Sequence, residues 1–379
     1  MTGKRMGRKN LIFALFISLV CIFLVYIPTG FENPSMINNT LRVKAKVIDV
    51  DNDDLQNYGV ITTGTQVLQL EILRGKFEGD TLRSTNVLMG QLKIDKIFQP
   101  GDKVLTLLKL NKENDKILTV RAEDIYRIGV EWLLFILFAL FLVGFARWTG
   151  FKALLSFVFT ALIFWKILIP LFLKGYSPVI ISLMVVSLTT TVIILLISGF
   201  SRKGLVALSG AIVGIIITSF LALIFGNLFR IPGTVQEFSE TLLYAGFTNL
   251  RFTDMFLSAI FISAAGAVMD VAMDISASQN ELILKKPEMN ARELILSGFN
   301  IAYPVIGTMT TTLLFAYSGS FLFIFMMFMT KGNPPMNIFN TNFIAAEILH
   351  TMVGSFGLVL VAPATAVIGG YIYTREKKT

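Results

Sequence analysis

Thr253–Glu281, TDMFLSAIFISAAGAVMDVAMDISASQNE, is an apolar run of helical length that carries two carboxylates toward its far end. A helix needs about twenty apolar residues to cross the hydrocarbon of a bilayer, so this run is predicted to span a membrane. Asp270 and Asp274 stand one helical turn apart and point the same way. Reading back along their face gives Ser263, Gly266 and Ala267, small residues that admit a second helix, and reading forward gives Ser278. The spacing therefore predicts a narrow polar face buried in protein. An ionisable side chain at membrane depth is costly, which makes it a candidate functional group. The plainer alternative is that the acids mark where the helix leaves the bilayer.

The whole composition agrees with a membrane reading. Of 379 residues, 54% are hydrophobic and 15% charged, and the mean hydropathy is +0.70, which excludes a water-soluble fold. The net charge of +8 comes mostly from short loops between apolar runs, so it reports topology and not nucleic-acid binding. Cys21 is the single cysteine, so no intrachain disulfide can form. With one histidine there is no zinc-ligand spacing. No nucleophile elbow, phosphate loop or HExxH appears, so neither an enzyme nor a cofactor is expected.

Outward from the quoted stretch, the chain reads as a polytopic α-helical membrane protein with a small β-barrel inserted after its first helix. Lys4, Arg5, Arg8 and Lys9 precede the apolar run Leu11–Pro28, which predicts an uncleaved anchor with a cytoplasmic N-terminus. Residues 33–124 turn polar, and LRVKAKVIDV, TTGTQVLQLEIL, DTLRSTNVLM and DKVLTLLKL alternate as strands do, bounded by turn signals. Five or so strands suit a closed barrel of the OB or SH3-like kind, on the far side of the membrane. It lacks the interleaved aromatic and basic residues of an oligonucleotide surface.

Further crossings are placed at Gly129–Trp148, Lys152–Leu173, Pro178–Gly199, Gly204–Gly226, Thr253–Ile275, Leu296 to about Phe328, and Ile344–Tyr373. With the anchor that makes eight, and residues 129–374 form the helical domain. Arg147, Lys152, Arg202, Lys203, Lys285, Lys286, Arg292 and the basic tail 375–379 then share the side of the N-terminus, whereas Lys174, Arg230, Arg251 and Lys331 fall opposite. The seventh crossing is overlong, and Gly319 is expected to divide it, by tilt, kink or re-entry. Val235, Phe238, Leu242 and Leu243 suggest one helical face lying along the outer surface. Gly150-Phe-Lys-Ala-Leu and Gly204-Leu-Val-Ala-Leu echo one another, as a duplicated helical hairpin would.

Other polar groups sit at helical spacing. Glu347, His350, Thr351, Gly354 and Ser355 make one strip on the last helix. Asn300, Thr308, Thr310, Thr311 and Thr312 offer neutral oxygens that commonly bond to their own helix. Joined to Asp270 they would suit a hard cation such as Na⁺, Mg²⁺ or Ca²⁺. Lys166 is expected to snorkel toward the interface.

The fragments GAVMDVAMDISASQNEL, GTMTTTLLFAY, AAEILHTMVGSFGLVLVAPATAVIGG and QVLQLEILRGKFEGD resemble, taken together, motifs of the YibE/F-like family of bacterial multispanning membrane proteins. The resemblance covers nearly the whole chain after the first crossing. It implies architecture more than activity, since the family has no established molecular function. The family commonly shows an Arg-Asp pair before Gly-Thr-Met where this chain has Tyr303 and Pro304, and Asn where it has Thr311. The resemblance thus does not carry a complete site over to this chain alone. It also implies a partner, because the family includes longer members with an extramembrane domain, which this chain resembles, and shorter, YibF-like paralogues without one.

The functional expectation is a permease-like protein of the bacterial cell membrane, moving an ion or small molecule, in which Asp270 and Asp274 bind a cation or proton. Asn300, Gly307, Thr308, Thr311, Glu347, Gly354 and Ser355 would support them. Two acids one turn apart titrate as a pair, which suits proton coupling. The alternative is a non-transporting scaffold whose outer β domain binds another protein.

Overall fold

A computed structural model describes residues 2–31, 39–111, 113 and 115–375; the expected start of the β domain at 33–38 and the tail beyond Arg375 lie outside the described residues. The chain divides into two compact units, residues 31–141 and residues 1–30 with 142–379.

The β unit contains β1 (Thr40–Asp51), β2 (Gln56–Tyr58), β3 (Ile61–Ile72), β4 (Thr81–Met89), β5 (Lys103–Leu110) and β6 (Ile117–Ile125). Alternation sets the faces as read from sequence: Ala45, Val47, Leu68, Leu70 and Val104 are fully buried and enclose Phe98. All pairings are antiparallel and run β4-β3-β1-β5-β6, with β2 continuing beside β3 where β1 ends. The sheet curls until its outer strands meet. Ser84 of β4 donates to the Val120 carbonyl at 3.1 Å and accepts from the Ala122 N–H at 3.2 Å, both on β6. Inside, Gln66 uses its full hydrogen-bonding capacity. Its Nε2 donates to Asn52 Oδ1 (2.8 Å) and the Phe98 carbonyl (2.9 Å), and its Oε1 accepts from the Phe98 N–H (3.0 Å) and Asn86 Nδ2 (3.2 Å).

Among the described residues, seven helical stretches are long and apolar enough to cross a membrane, by length and composition. The first is α1 (Thr2–Tyr26). The second is α2 (Ile128–Ile163), broken at Arg147 with φ 48 and ψ −123. Past the break the chain folds back so closely that a Cβ at Gly150 would strike the Leu142 carbonyl. Gly204 stands likewise against the Gly199 carbonyl at the start of α5. A π-helical turn, Phe164–Leu168, leads to α3 (Ile169–Leu173), followed by α4 (Pro178–Ser198) and α5 (Arg202–Phe229). Then come α6 (Ser239–Tyr244), α7 (Phe252–Lys285), α8 (Ala291–Thr330), α9 (Pro335–Phe339) and α10 (Asn342–Thr374).

Two expectations are corrected here. The α8 helix runs unbroken for 40 residues, about 60 Å, through both Pro304 and Gly319, with Asn290 and Glu293 forming a capping box at its start. The Lys166 ammonium, expected to reach toward the interface, donates to the Ile27 carbonyl at 2.8 Å just past the end of α1. The segment after α5 is not one helical face, because Phe238 adopts φ 64 and separates the Gly233–Val235 turn from α6.

The core of the helical unit forms where α5, α7 and α10 meet. Gly214 lies against Val268 and Val361, Gly357 against Thr218, Gly210 against Thr365 and Gly226 against Leu257, each so closely that a methyl group would overlap its neighbour. Apolar helices in lipid gain little from the hydrophobic effect, so such close backbone approach and its dispersion contacts hold them together.

Candidate functional site

Asp270 lies near the middle of α7 and Asp274 one turn nearer Lys285. The buried face of α7 is the apolar one: Val268, Val271, Ala272 and Ile275 are all at 0% exposure. Ser263, Gly266, Asp270 and Asp274 are exposed on the other side. Nothing lies within 4 Å of where a Cβ on Gly266 would stand. The sequence reading expects a face buried in protein; the described residues of this chain leave it uncovered, and the closest helix approaches are made through glycines of α5 and α10. Among the described residues neither carboxylate has a hydrogen-bond or ion-pair partner.

The supporting residues on α8 show the same pattern. Asn300, Gly307, Thr308 and Thr311 are exposed, and Gly307, like Gly266, has open space beside it. The hydroxyls of Thr308, Thr310 and Thr312 donate to carbonyls of their own helix, Thr308 to Val305 at 3.1 Å, Thr310 to Ile306 at 2.8 Å and Thr312 to Thr308 at 3.1 Å. Thr311 Oγ1 reaches the Gly307 carbonyl at 3.5 Å. The structure thus does not bring these oxygens onto Asp270. Among the described residues no three of His, Cys, Asp and Glu gather as a metal site.

Two turns before Asp270, the same stripe of α7 enters a polar cluster made by three helices. Ser263 Oγ lies 2.5 Å from His350 Nε2 and donates to the Ile260 carbonyl at 2.9 Å. A serine has one hydroxyl proton. That proton can serve Ile260 or His350, so which group donates in the Ser263–His350 contact depends on the imidazole tautomer; His350 Nδ1 lies 3.8 Å from Glu347 Oε2. The Tyr317 ring of α8 covers the imidazole with centroids 4.5 Å apart. Gly354 lies beside the ring, where a Cβ would stand in ordinary van der Waals contact, 3.9 Å from Tyr317 and 3.5 Å from Ala264. Glu347 also lines a pocket of about 170 Å³ between α8 and α10, with Leu314, Phe321, Ile344 and Thr351. The expected strip on α10 is real, but Ser355 donates to Thr351 at 2.8 Å on its own helix and stays out of the cluster.

Sequence reasoning missed Tyr317 and the Ser263–His350 contact. It also missed Gln279, which is fully buried and donates to the Leu294 carbonyl (3.1 Å) and the Ala366 carbonyl (2.9 Å), tying α7 to α8 and α10. A usable signal existed for it: Gln279 continues the buried row Val268, Ala272, Ile275 at helical spacing, and an amide in such a row needs partners.

Two family models match the chain. Residues 134–375 match a model described as YibE/F-like protein, and residues 39–125 match one described as the YibE/F family N-terminal domain. No curated protein matches, and no solved structure does.

Proposed function

From the premise that this chain belongs to the YibE/F-like family, we propose that it is a multi-pass subunit of a cation- or proton-coupled permease whose ion-binding carboxylate is Asp270, with Asp274 beside it. The observation that carries this reading is the uncovered position of Asp270 in the middle of a membrane-length helix. A bare carboxylate at the centre of a transmembrane helix costs about 2.5–3.5 kcal/mol on insertion scales, so a proton, a cation or a second protein chain must compensate it. A shorter, YibF-like paralogue fits as that chain. Its helices would cover the α7 and α8 stripes, where Gly266 and Gly307 leave space.

In this reading the two legs of α2 each cross, giving eight crossings, with both termini cytoplasmic and the β unit outside as an OB-type barrel. The charge distribution supports the orientation, and the strand order with its Ser84 seam supports the barrel type. His350 and Glu347 act as a second proton-holding group at the other end of the same stripe. Their line-up with Ser263 resembles a hydrolytic triad, but 3.8 Å is no hydrogen bond, and Ser263 sits mid-helix where backbone N–H groups are committed to the helix and offer no oxyanion hole. Proton exchange suits the group better than nucleophilic attack.

The test is Asp270→Asn in proteoliposomes containing the chain and its paralogue. Ion flux is expected to vanish while expression and melting stay as in the parent; unchanged flux would remove Asp270 from the mechanism. A homodimer or monomer isolated from native membranes in mild detergent, without the paralogue, would contradict the assembly.

A further inference from the structure

The most exposed apolar side chains among the strands and loops of the β unit lie at one end of its barrel. At that end β1 and β4 finish, β3 and β5 begin, and β6 runs out toward α2. Val60 at the β2–β3 turn, Met89 at the end of β4, and Leu92 and Ile94 in the next loop are 83%, 71%, 69% and 65% exposed. Gly90 sets the two elements side by side, since its backbone at φ +78 lies against the side chains of Ile61 and Thr63. The opposite end, at the turns before β4 and β6, carries Lys76, Glu78, Asp80, Asp115 and Lys116 with Leu118 beside them, and the apolar end is rimmed by Asp51, Asp53, Asp54 and Lys93.

The apolar loop is held rigidly. Gln66 binds both the N–H and the carbonyl of Phe98, Asn86 Nδ2 donates to the Lys96 carbonyl at 2.6 Å, and the Gln91 N–H donates to Asp95 Oδ2 at 2.7 Å. Its Lys96 ammonium pairs with Asp124, whose other oxygen holds Arg127 Nη1 at 2.8 Å. The next residue, Ile128, begins α2, and the Tyr126 N–H is fixed on the Lys103 carbonyl at 2.7 Å. The loop is thus braced against the root of a membrane-length helix. Trp132, one turn into that helix, is 60% exposed, and tryptophan favours the membrane–water boundary.

We propose that this end of the β unit is a lipid-binding surface, with Val60, Met89, Leu92 and Ile94 seated in the headgroup–acyl boundary of the leaflet that α2 enters. The argument for lipid is continuity: two residues separate β6 from α2, so the patch stays within reach of the bilayer whatever else the unit meets. Side chains already fixed by the Gln66, Asn86 and Lys96 contacts lose little freedom on insertion. The proposal does not depend on transport.

The test uses the full chain with its single cysteine changed (Cys21→Ala) and a bimane fluorophore placed at Val60→Cys, Leu92→Cys or, at the opposite end, Glu78→Cys. The protein is embedded in nanodiscs of phosphatidylethanolamine and phosphatidylglycerol. Labels at 60 and 92 should be quenched by brominated acyl chains at a depth of about 5–10 Å and shielded from aqueous iodide, with the reverse at 78. Leu92→Asp with Ile94→Asp, at exposed positions the fold tolerates, should move the label at 60 toward water. Iodide quenching at 92 as strong as at 78, or shielding from both quenchers as a covering protein would produce, overturns the proposal.

Discussion

Ser263 and Asp270 lie two turns apart on one exposed stripe of α7, yet the fold brings a side chain of another helix to the first and none of the described ones to the second. Ser263 meets His350 and lies in the group completed by Tyr317 and Glu347, whereas Asp270 faces away from every described neighbour. The difference shows in what stands beside the glycines. Gly354 has Ala264 and Tyr317 at ordinary contact distance; Gly266 and Gly307 have no described atom within 4 Å of where a Cβ would stand. Small residues with open space beside them, next to a carboxylate that no described residue pairs, are what the proposed assembly would cover.

The comparison breaks most visibly if glycines on the two sides behave alike. Gly214→Leu would drive a side chain into Val268 and Val361, and is expected to destabilise the chain in detergent by roughly 1–3 kcal/mol or more. Gly266→Leu should leave the melting of the isolated chain near the parent value and abolish co-purification of the paralogue. Equal destabilisation by both would mean that the Asp270 face is packed after all.

A smaller effect has the opposite sign. Gly266→Ala or Gly307→Ala, each on an open helix surface, should stabilise the isolated chain by up to about 1 kcal/mol through helix propensity, read as a rise in melting temperature. At the covered end, Ser263→Ala and His350→Gln should each cost about 1 kcal/mol. A double-mutant cycle should return a coupling of at least about 0.5 kcal/mol, and strict additivity would separate the two residues.

The smallest effect concerns a carboxylate that does have its cations beside it. Burial tends to raise Asp124, but the Lys96 ammonium, the Ile125 N–H and the Arg127 guanidinium outweigh it and hold the carboxyl below the usual range. A folded value below the unfolded one gives stability that is full above about pH 4 and is lost as pH falls through the folded value. With the Asp124 side chain 34% exposed, the contribution should stay within about 1 kcal/mol. Acid titration of β-unit melting should show it, and Asp124→Asn should remove it.

Much of this architecture was legible because length and period are local properties. Apolar runs long enough to cross a bilayer became the long helices, and alternation became the strands. The one-turn spacing of Asp270 and Asp274 and the strip Glu347, His350, Gly354 follow from helical geometry alone. What each face meets is not local. The single-residue reversal at Arg147, the bond from Lys166 to Ile27 and the meeting of Ser263 with His350 across 87 positions depend on which helices touch. That the described residues leave Asp270 uncovered was not legible for that reason: small residues permit a neighbour but do not name what supplies it.

The most direct measurement places a photo-crosslinking benzoylphenylalanine at Gly266, beside Asp270, and irradiates native membranes. Mass spectrometry of the adducts should identify a peptide from the shorter paralogue bound at that position. Adducts to lipid or to this chain alone would contradict the account.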